Sequence, residues 1–388
     1  MLNFELKNPT KIIFGKETIA KLSEEIPTDA KILILYGGGS IKKNGVYEQV
    51  IEALKNHSYL EFGGIPANPE YEVLMEALKI IKNENINYLL AVGGGSVIDG
   101  TKFLSAAAHY QGEDAWEILT RPIRTMEGEG MPFGTVLTLP ATGSEMNSGY
   151  VISRRSTQEK RSSGGPGLFP QFSILDPNVI QSIPKHQLAN GIADAYTHVL
   201  EQYMTYKTAA ALQERFAESI LVSLQELAPQ LLENNFDYDT AANFMWCCTM
   251  ALNGLIQKGV PTDWAVHAIG HELTAKYGID HARTLAIVAP PYYTYCLESK
   301  KDKLVQYGKR VWGITEGNDT EIAQLAIQHL EKFFQSLGID TRLSSYTDDY
   351  QNIGKETAEV FTKRNWLGLG EHKKITPEDV QKVLEMTF

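Results

Sequence analysis

Over the first part of the chain, short continuous apolar runs alternate with stretches in which apolar residues recur every three or four positions. The runs "AKILILYGGG" and "INYLLAVGGGS" are each stopped by glycines, as buried strands of a parallel sheet are. "FGTVLTLPATGSE" predicts a further strand. Between and after these, "VYEQVIEALKNH", "EYEVLMEALKIIKNEN" and "VIDGTKFLSAAAHY" carry helical spacing. Strands alternating with helices of this length predict an α/β domain built on a parallel sheet with covered faces.

The pattern changes near "ILDPNVIQSIP". From Pro184 onward helical periodicity dominates, as in "AALQERFAESILVSLQELA". "DTAANFMWCCTMALNGLI" is read as a helix capped by Thr240, its Cys247 and Cys248 packing as small hydrophobes. "TPEDVQKVLEM" predicts a helix with Thr376 as cap, Pro377 at its first position and Asp379 closing the turn. The division expected is an α/β domain over residues 1–180 and an all-α domain over 181–388. A chain of 388 residues is also too long for one ordinary core.

Composition adds limits rather than chemistry. A hydrophobic content of 43% with 21% charged residues suits a soluble globular protein. A formal net charge of −11 argues against general nucleic-acid binding, which needs a basic footprint. No apolar run has the length that spans a bilayer, and the first residues lack the build of a signal peptide, so no membrane role is expected. Three cysteines are too few for a disulfide framework and point to a reducing cytoplasm.

Chemistry enters at the glycines. Gly37–Ser40 and Gly93–Ser96 repeat one tetrapeptide at two strand ends. A strand, glycines and a helix N-terminus together let backbone N–H groups approach a phosphate. Two such turns in an open α/β sheet favour a nucleotide, although neither matches G-x-G-x-x-G. After the first turn comes no acidic residue for a ribose 2′-hydroxyl. Ser40, Lys42 and Lys43 follow instead, which favours a 2′-phosphate and so NADP.

The helical part holds a second signal. Asp194 and His198 lie four apart in "NGIADAYTHVLEQY", and His267 and His271 four apart in "DWAVHAIGHELTAKYGIDH", so each pair shares a helix face. His281 follows in a loop beyond Gly278, a helix-stop glycine. One carboxylate with several imidazoles suits Fe²⁺ or Zn²⁺ rather than Mg²⁺ or Ca²⁺. A catalytic ion keeps an open position, so one of these histidines has another role; spacing does not say which.

Together "GGGSVIDGTK", "TLPATGSE" and the H-x-x-x-H followed by "GIDHA" resemble the iron-containing (group III) alcohol dehydrogenase family, over nearly the whole chain. The "YGGGSIKKNGVY" segment is most like that of its bacterial NADPH-dependent aldehyde reductases and butanol dehydrogenases. The resemblance implies a dinucleotide-binding α/β domain followed by an all-α metal-binding domain, the plan of dehydroquinate-synthase-like proteins. It implies metal ligands at Asp194, His198, His267 and His281, with His271 beside the nicotinamide, assisting proton movement or cofactor positioning. Nucleotide contacts carry over to Gly38, Gly39, Ser40, Asn68, Gly94, Gly95, Ser96, Asp99, Thr138, Thr142, Asn147, Gly149 and Lys160. Lys160 and the first glycine turn would meet the adenosine end.

The expected activity is therefore reduction of aldehydes to alcohols, with NADPH preferred over NADH and one divalent ion, Fe²⁺ or Zn²⁺. A homodimer is expected by the same resemblance, with "NPTKIIFG" pairing across the interface. An NADH-preferring butanol or 1,3-propanediol-type dehydrogenase is the nearest alternative. A dehydroquinate-synthase-like lyase would need a phosphate clamp, for which the metal segments offer only Lys276 and Arg283. Trp264 is read as core packing or substrate-pocket lining.

Overall fold

Eight strands occur among the residues that this computed structural model describes, 1–233 and 236–388. They are β1 (Lys11–Phe14), β2 (Lys31–Tyr36), β3 (Ser58–Phe62), β4 (Tyr88–Gly94), β5 (Phe133–Leu139), β6 (Gly149–Arg154), β7 (Glu159–Gly164) and β8 (Phe172–Leu175). Six of them form one sheet in the order β1-β8-β5-β4-β2-β3, with every pairing parallel. Ile32–Leu35 of β2 and Leu89–Val92 of β4 are fully buried, because helices cover both faces of a parallel sheet. Each such leucine or isoleucine contributes about 1.5–3 kcal/mol relative to leaving it exposed. β6 and β7 form a separate antiparallel hairpin, in register from Gly149↔Gly164 to Arg154↔Glu159.

The strand order places the two glycine turns side by side. β2 and β4 are neighbours with Tyr36 opposite Val92, so both turns leave the same end of the sheet. β4 passes directly into helix Gly95–Ala107, since Gly94 ends the strand and Gly95 begins the helix.

Two compact units divide the chain. One is Lys7–Pro184 with Asn235–Asn253; the other is Met1–Leu6 with Lys185–Asn234 and Gly254–Phe388. This differs from a single division at residue 180. Helix Tyr238–Ala251, expected with the helical part, belongs to the sheet unit, where Thr249 hydrogen-bonds Glu145 (2.6 Å) and Trp246 packs edge-on against Phe14. Its cap is Asp237, which accepts from the Thr240 N–H at 2.8 Å, rather than Thr240 itself. Cys248 is buried and Cys247 partly so.

In the helical unit, helix Lys185–Tyr203 is buried without a break from Gly191 to Tyr203, which marks it as the central helix. Helices Ala211–Leu232 and His281–Tyr295 pack against it. Helix Ala265–Tyr277 packs on His281–Tyr295. It ends at Gly278, whose φ of +70° and N–H bond to Thr274 O (2.9 Å) form a left-handed C-cap. His281 is therefore not in a loop: it opens the next helix. Helix Pro377–Glu385 carries the expected cap, with reciprocal bonds between Thr376 and Asp379.

Strands β3, β6, β7 and β8 were not signalled by the apolar pattern. β3 and β8 are only five and four residues long, and the hairpin sequence is polar and basic. β1 pairs with β8 of its own chain. The sheet leaves no room at Gly134, where a Cβ would stand 2.3 Å from the Phe172 ring. Gly134→Ala should thus cost about 1–3 kcal/mol through overpacking, read as a lower urea midpoint with an unchanged slope.

Candidate metal centre and nucleotide site

Two helices and one helix start bring the ligand-type side chains together. Asp194 and His198 share one face of helix Lys185–Tyr203; His267 lies in the first turn of helix Ala265–Tyr277; His281 opens the following helix. Donor atoms of Asp194, His267 and His281 all lie within 4.8 Å of one another. His198 Nδ1 stands 3.8 Å and His281 Nε2 3.9 Å from Asp194 Oδ1. The His198 ring stacks on His267, centroids 4.6 Å apart. His271 lies beside His281, with ring centroids 4.8 Å apart and 6.4 Å from His267, and is not one of the three convergent donors.

The donor set fits a divalent ion. Asp194 is 4% exposed, yet its Oδ1 makes no hydrogen bond among the described residues. Leaving a buried carboxylate oxygen unsatisfied is costly, and a cation would satisfy it. One carboxylate oxygen with imidazole nitrogens is the chemistry of Fe²⁺ and Zn²⁺ sites.

Spacing also contained a residue that the sequence reading missed. Glu201 is three positions beyond His198 and seven beyond Asp194, on the same helical face. It is fully buried and accepts from the Val266 N–H (2.7 Å), the His267 N–H (3.1 Å) and His267 Nδ1. A carboxylate behind a ligating histidine fixes its tautomer and ring orientation. Burial, and next the Asp263 carboxylate, push the Glu201 carboxyl well above its ordinary range, so a nearby cation would offset a real penalty. Between them Trp264 adopts a left-handed φ of +64°, a strained conformation for a bulky residue, with its ring edge-on to both His198 and His267.

In the sheet unit, three glycines at the end of β4 are dictated by close approach. A Cβ at Gly93 would stand 2.5 Å from Val97, at Gly94 2.8 Å from Leu139 and at Gly95 2.4 Å from Thr142 Oγ1. At Gly38 and Gly39 the position is open, with no atom within 4 Å, and Gly39 has φ +88°. The first turn thus has space beside Gly38 and Gly39, while the second is closely packed.

The remaining nucleotide candidates fall into two hydrogen-bonded sets. Asn68 N–H donates to Ser96 Oγ (3.3 Å) and Asn68 Oδ1 accepts from Lys160 (2.8 Å). Asp99 accepts from Ser144 Oγ (2.6 Å) and the Val151 N–H (2.9 Å). Thr142 Oγ1 accepts from the Ser144 N–H (3.2 Å), and Thr138 is half-buried near the end of β5. Lys102 joins the second set, donating to Ser144 Oγ (2.7 Å), Asn147 Oδ1 (2.9 Å) and Gly149 O (2.8 Å). It is fully buried, and burial pulls its pKa down to about 8 against the Asp99 and Glu145 carboxylates. Lys102 closes the "GGGSVIDGTK" stretch, and its place in this network comes from the fold.

Residues 9–177 match the family described as iron-containing alcohol dehydrogenase, and residues 188–388 the C-terminal part of the same family. The chain belongs to the iron-containing alcohol dehydrogenase family. It is 48% identical to the NADPH-dependent aldehyde reductase YqhD of Escherichia coli, over 99% of each chain. It is 37% identical to NADH-dependent butanol dehydrogenase A of Clostridium acetobutylicum, over the full length of both. Its fold superposes on the E. coli YqhD crystal structure with a TM-score of 0.96 at 47% identity, covering 100% of this chain and 99% of that one. As a member of this family, the protein is an oxidoreductase.

For this family member, Glu201→Gln should weaken metal binding 10- to 100-fold, because an amide cannot accept from both the His267 ring and the backbone N–H groups. Competition against a chromophoric chelator measures it, with the helical circular dichroism signal retained.

Proposed function

We propose that the protein is an NADPH-dependent aldehyde reductase, acting on short- to medium-chain aldehydes and, in reverse, on the corresponding alcohols. The observation that carries this reading is the convergence of Asp194, His267 and His281, with the orphaned Asp194 Oδ1 among them. Asp194, His198, His267 and His281 would hold one divalent ion, Fe²⁺ or Zn²⁺. Lewis acidity toward the carbonyl oxygen and hydride for the carbonyl carbon are what the ion and the reduced nicotinamide supply when bound.

The chain's own residues have distinct tasks. Glu201 holds the His267 ring in one tautomer, and the Trp264 ring limits water around His198 and His267. His271, with its ring 4.8 Å from that of His281 and 6.4 Å from that of His267, is the proton-handling or cofactor-positioning residue. Gly38, Gly39 and Ser40 receive the adenosine end, and Gly94, Gly95 and Ser96 the phosphates. Asn68 and Lys160 bind alongside; Thr138, Thr142, Asn147 and Gly149 hold the nicotinamide half with Asp99. A chain with only three cysteines suits a reducing cytoplasm, and exposed Leu2, Phe4 and Leu6 suit a homodimer.

NADPH is supported by exposed Ser40, Lys42 and Lys43 after the first turn and by the likeness to YqhD. A second reading, NADH preference, is favoured by one observation: Glu61 lies 3.2 Å from Lys42. The lyase reading has little support, since Lys276 pairs with Glu356, and Arg283 with Tyr346 and Asp280.

Butanal reduction followed by nicotinamide absorbance tests the proposal. Turnover should be faster with NADPH than with NADH and should vanish on chelation; equal or better turnover with NADH would move the reading to the second. His267→Ala should lose metal and activity together. His271→Ala should retain metal while turnover or cofactor affinity falls at least tenfold, and elemental analysis of both variants would expose a ligand role for His271.

A further inference from the structure

The first glycine turn has a neighbour on β3 that its own sequence does not reveal. Glu61 stands about 20 residues past the turn, near the end of the next strand. Mononucleotide-binding units of the Rossmann kind carry the acidic residue that meets a ribose 2′-hydroxyl at that distance. Here the Glu61 carboxylate is engaged elsewhere. Oε1 accepts from the Tyr47 hydroxyl at 2.6 Å, while Oε2 lies 3.2 Å from Lys42 Nζ and 3.3 Å from the Tyr36 hydroxyl. Burial works against the charged form, but the bonds from Tyr47 and Lys42 hold the carboxyl below its ordinary range.

The lysine is held on more than one side. Its ammonium sits 4.9 Å from the Tyr36 ring centroid and 4.6 Å from that of Tyr47. Tyr36 is itself fixed, because its ring lies over Gly63, where a Cβ would come within 2.3 Å. Gly63 and Gly64 continue the tie: Gly64 N–H bonds Gly37 O (2.9 Å) and Ile65 N–H bonds Tyr36 O (3.2 Å). Lys43, next in sequence, is exposed and has no ion pair among the described residues. Of the two lysines after the turn, one offers its full charge and the other a charge shared with a carboxylate.

We infer that Glu61 is a specificity-determining residue that limits preference for a 2′-phosphorylated dinucleotide by drawing Lys42 into a tyrosine-lined ion pair beside the turn. The inference rests on the reading that Gly38–Ser40 receives the adenosine end of the cofactor. Glu61 acts through Lys42, so it is a positioning residue. A dinucleotide with a free 2′-hydroxyl, having no phosphate there, is insensitive to whether Lys42 is neutralised.

The test uses the metal-replete full chain and the ratio of kcat/KM for NADPH to that for NADH. Glu61→Gln keeps an acceptor for the tyrosine hydroxyls but removes the charge. It should raise the ratio roughly three- to tenfold at low ionic strength, through KM for NADPH, and the gain should shrink in high salt. NADH kcat/KM should stay within about twofold. In the Lys42→Gln background the same substitution should leave the ratio unchanged. An unchanged or lowered ratio in Glu61→Gln, or equal losses with both cofactors, overturns the inference. Lys42→Gln alone separates that failure from a deeper one. If it weakens NADPH selectively, the placement of the adenosine end stands and only the role of Glu61 falls. If neither variant alters KM for either cofactor, the placement of the adenosine end at this turn falls as well.

Discussion

The hydrogen bonds between Glu201 and the first turn of helix Ala265–Tyr277 hold the helical unit's site together. One buried carboxylate binds two backbone N–H groups and the ring of His267, joining the helix of Asp194 and His198 to the helix of His267. The joint is itself supported. Asp263 N–H bonds Glu201 O (2.9 Å), and the Asp263 carboxylate accepts from Ala265 N–H (3.0 Å) and Tyr292 OH (2.8 Å). Behind it Lys300, almost fully buried, contacts Asp263 (2.7 Å), Glu371 (2.8 Å) and Met204 O (2.6 Å). So many charges away from water are stable only as a set; removing one partner typically costs about 3–5 kcal/mol. The left-handed Trp264 is the local strain this framework sustains, and it sits between Asp263 and helix Ala265–Tyr277.

The sheet unit solves a related problem with opposite charge. Lys102 is a buried ammonium whose three acceptors all lie in the segment after β5, and Ser144 links it to Asp99. It fixes residues 144–149 against the middle of helix Gly95–Ala107, while Thr142 packs against Gly95 at the start of that helix. The glycines of the second turn are therefore steric necessities. At the first turn, by contrast, Gly38 and Gly39 face open space, and nearby chemistry is set by side chains on β2 and β3.

Much of this could be read from the sequence, and the limits have physical causes. Apolar runs such as "KILILY" and "YLLAVGG" announce buried strands because both sheet faces are covered. Asp194 with His198, and His267 with His271, announce themselves because helical period brings residues four apart together. Glu201 obeyed the same rule and was passed over, since a carboxylate that ligates nothing carries no motif. The roles of Glu61 and Lys102 were invisible for a different reason. Each gains meaning only through residues brought near by the fold, across β2 and β3 for one and beyond β5 for the other. Strands β3 and β8 are short, and short segments offer too few positions for a period to show. Helix Tyr238–Ala251 kept its helical pattern but not its expected place, because periodicity does not say which core a helix completes.

The position of the cation is the decisive observation. Anomalous diffraction from crystals of the metal-replete protein, collected on either side of the iron or zinc edge, would answer this directly. The peak is expected about 2.0–2.2 Å from an Asp194 carboxylate oxygen and from ring nitrogens of His198, His267 and His281, with Glu201 behind His267. A full-strength peak at any other group of side chains, or an undiminished one after His267→Ala, would contradict it.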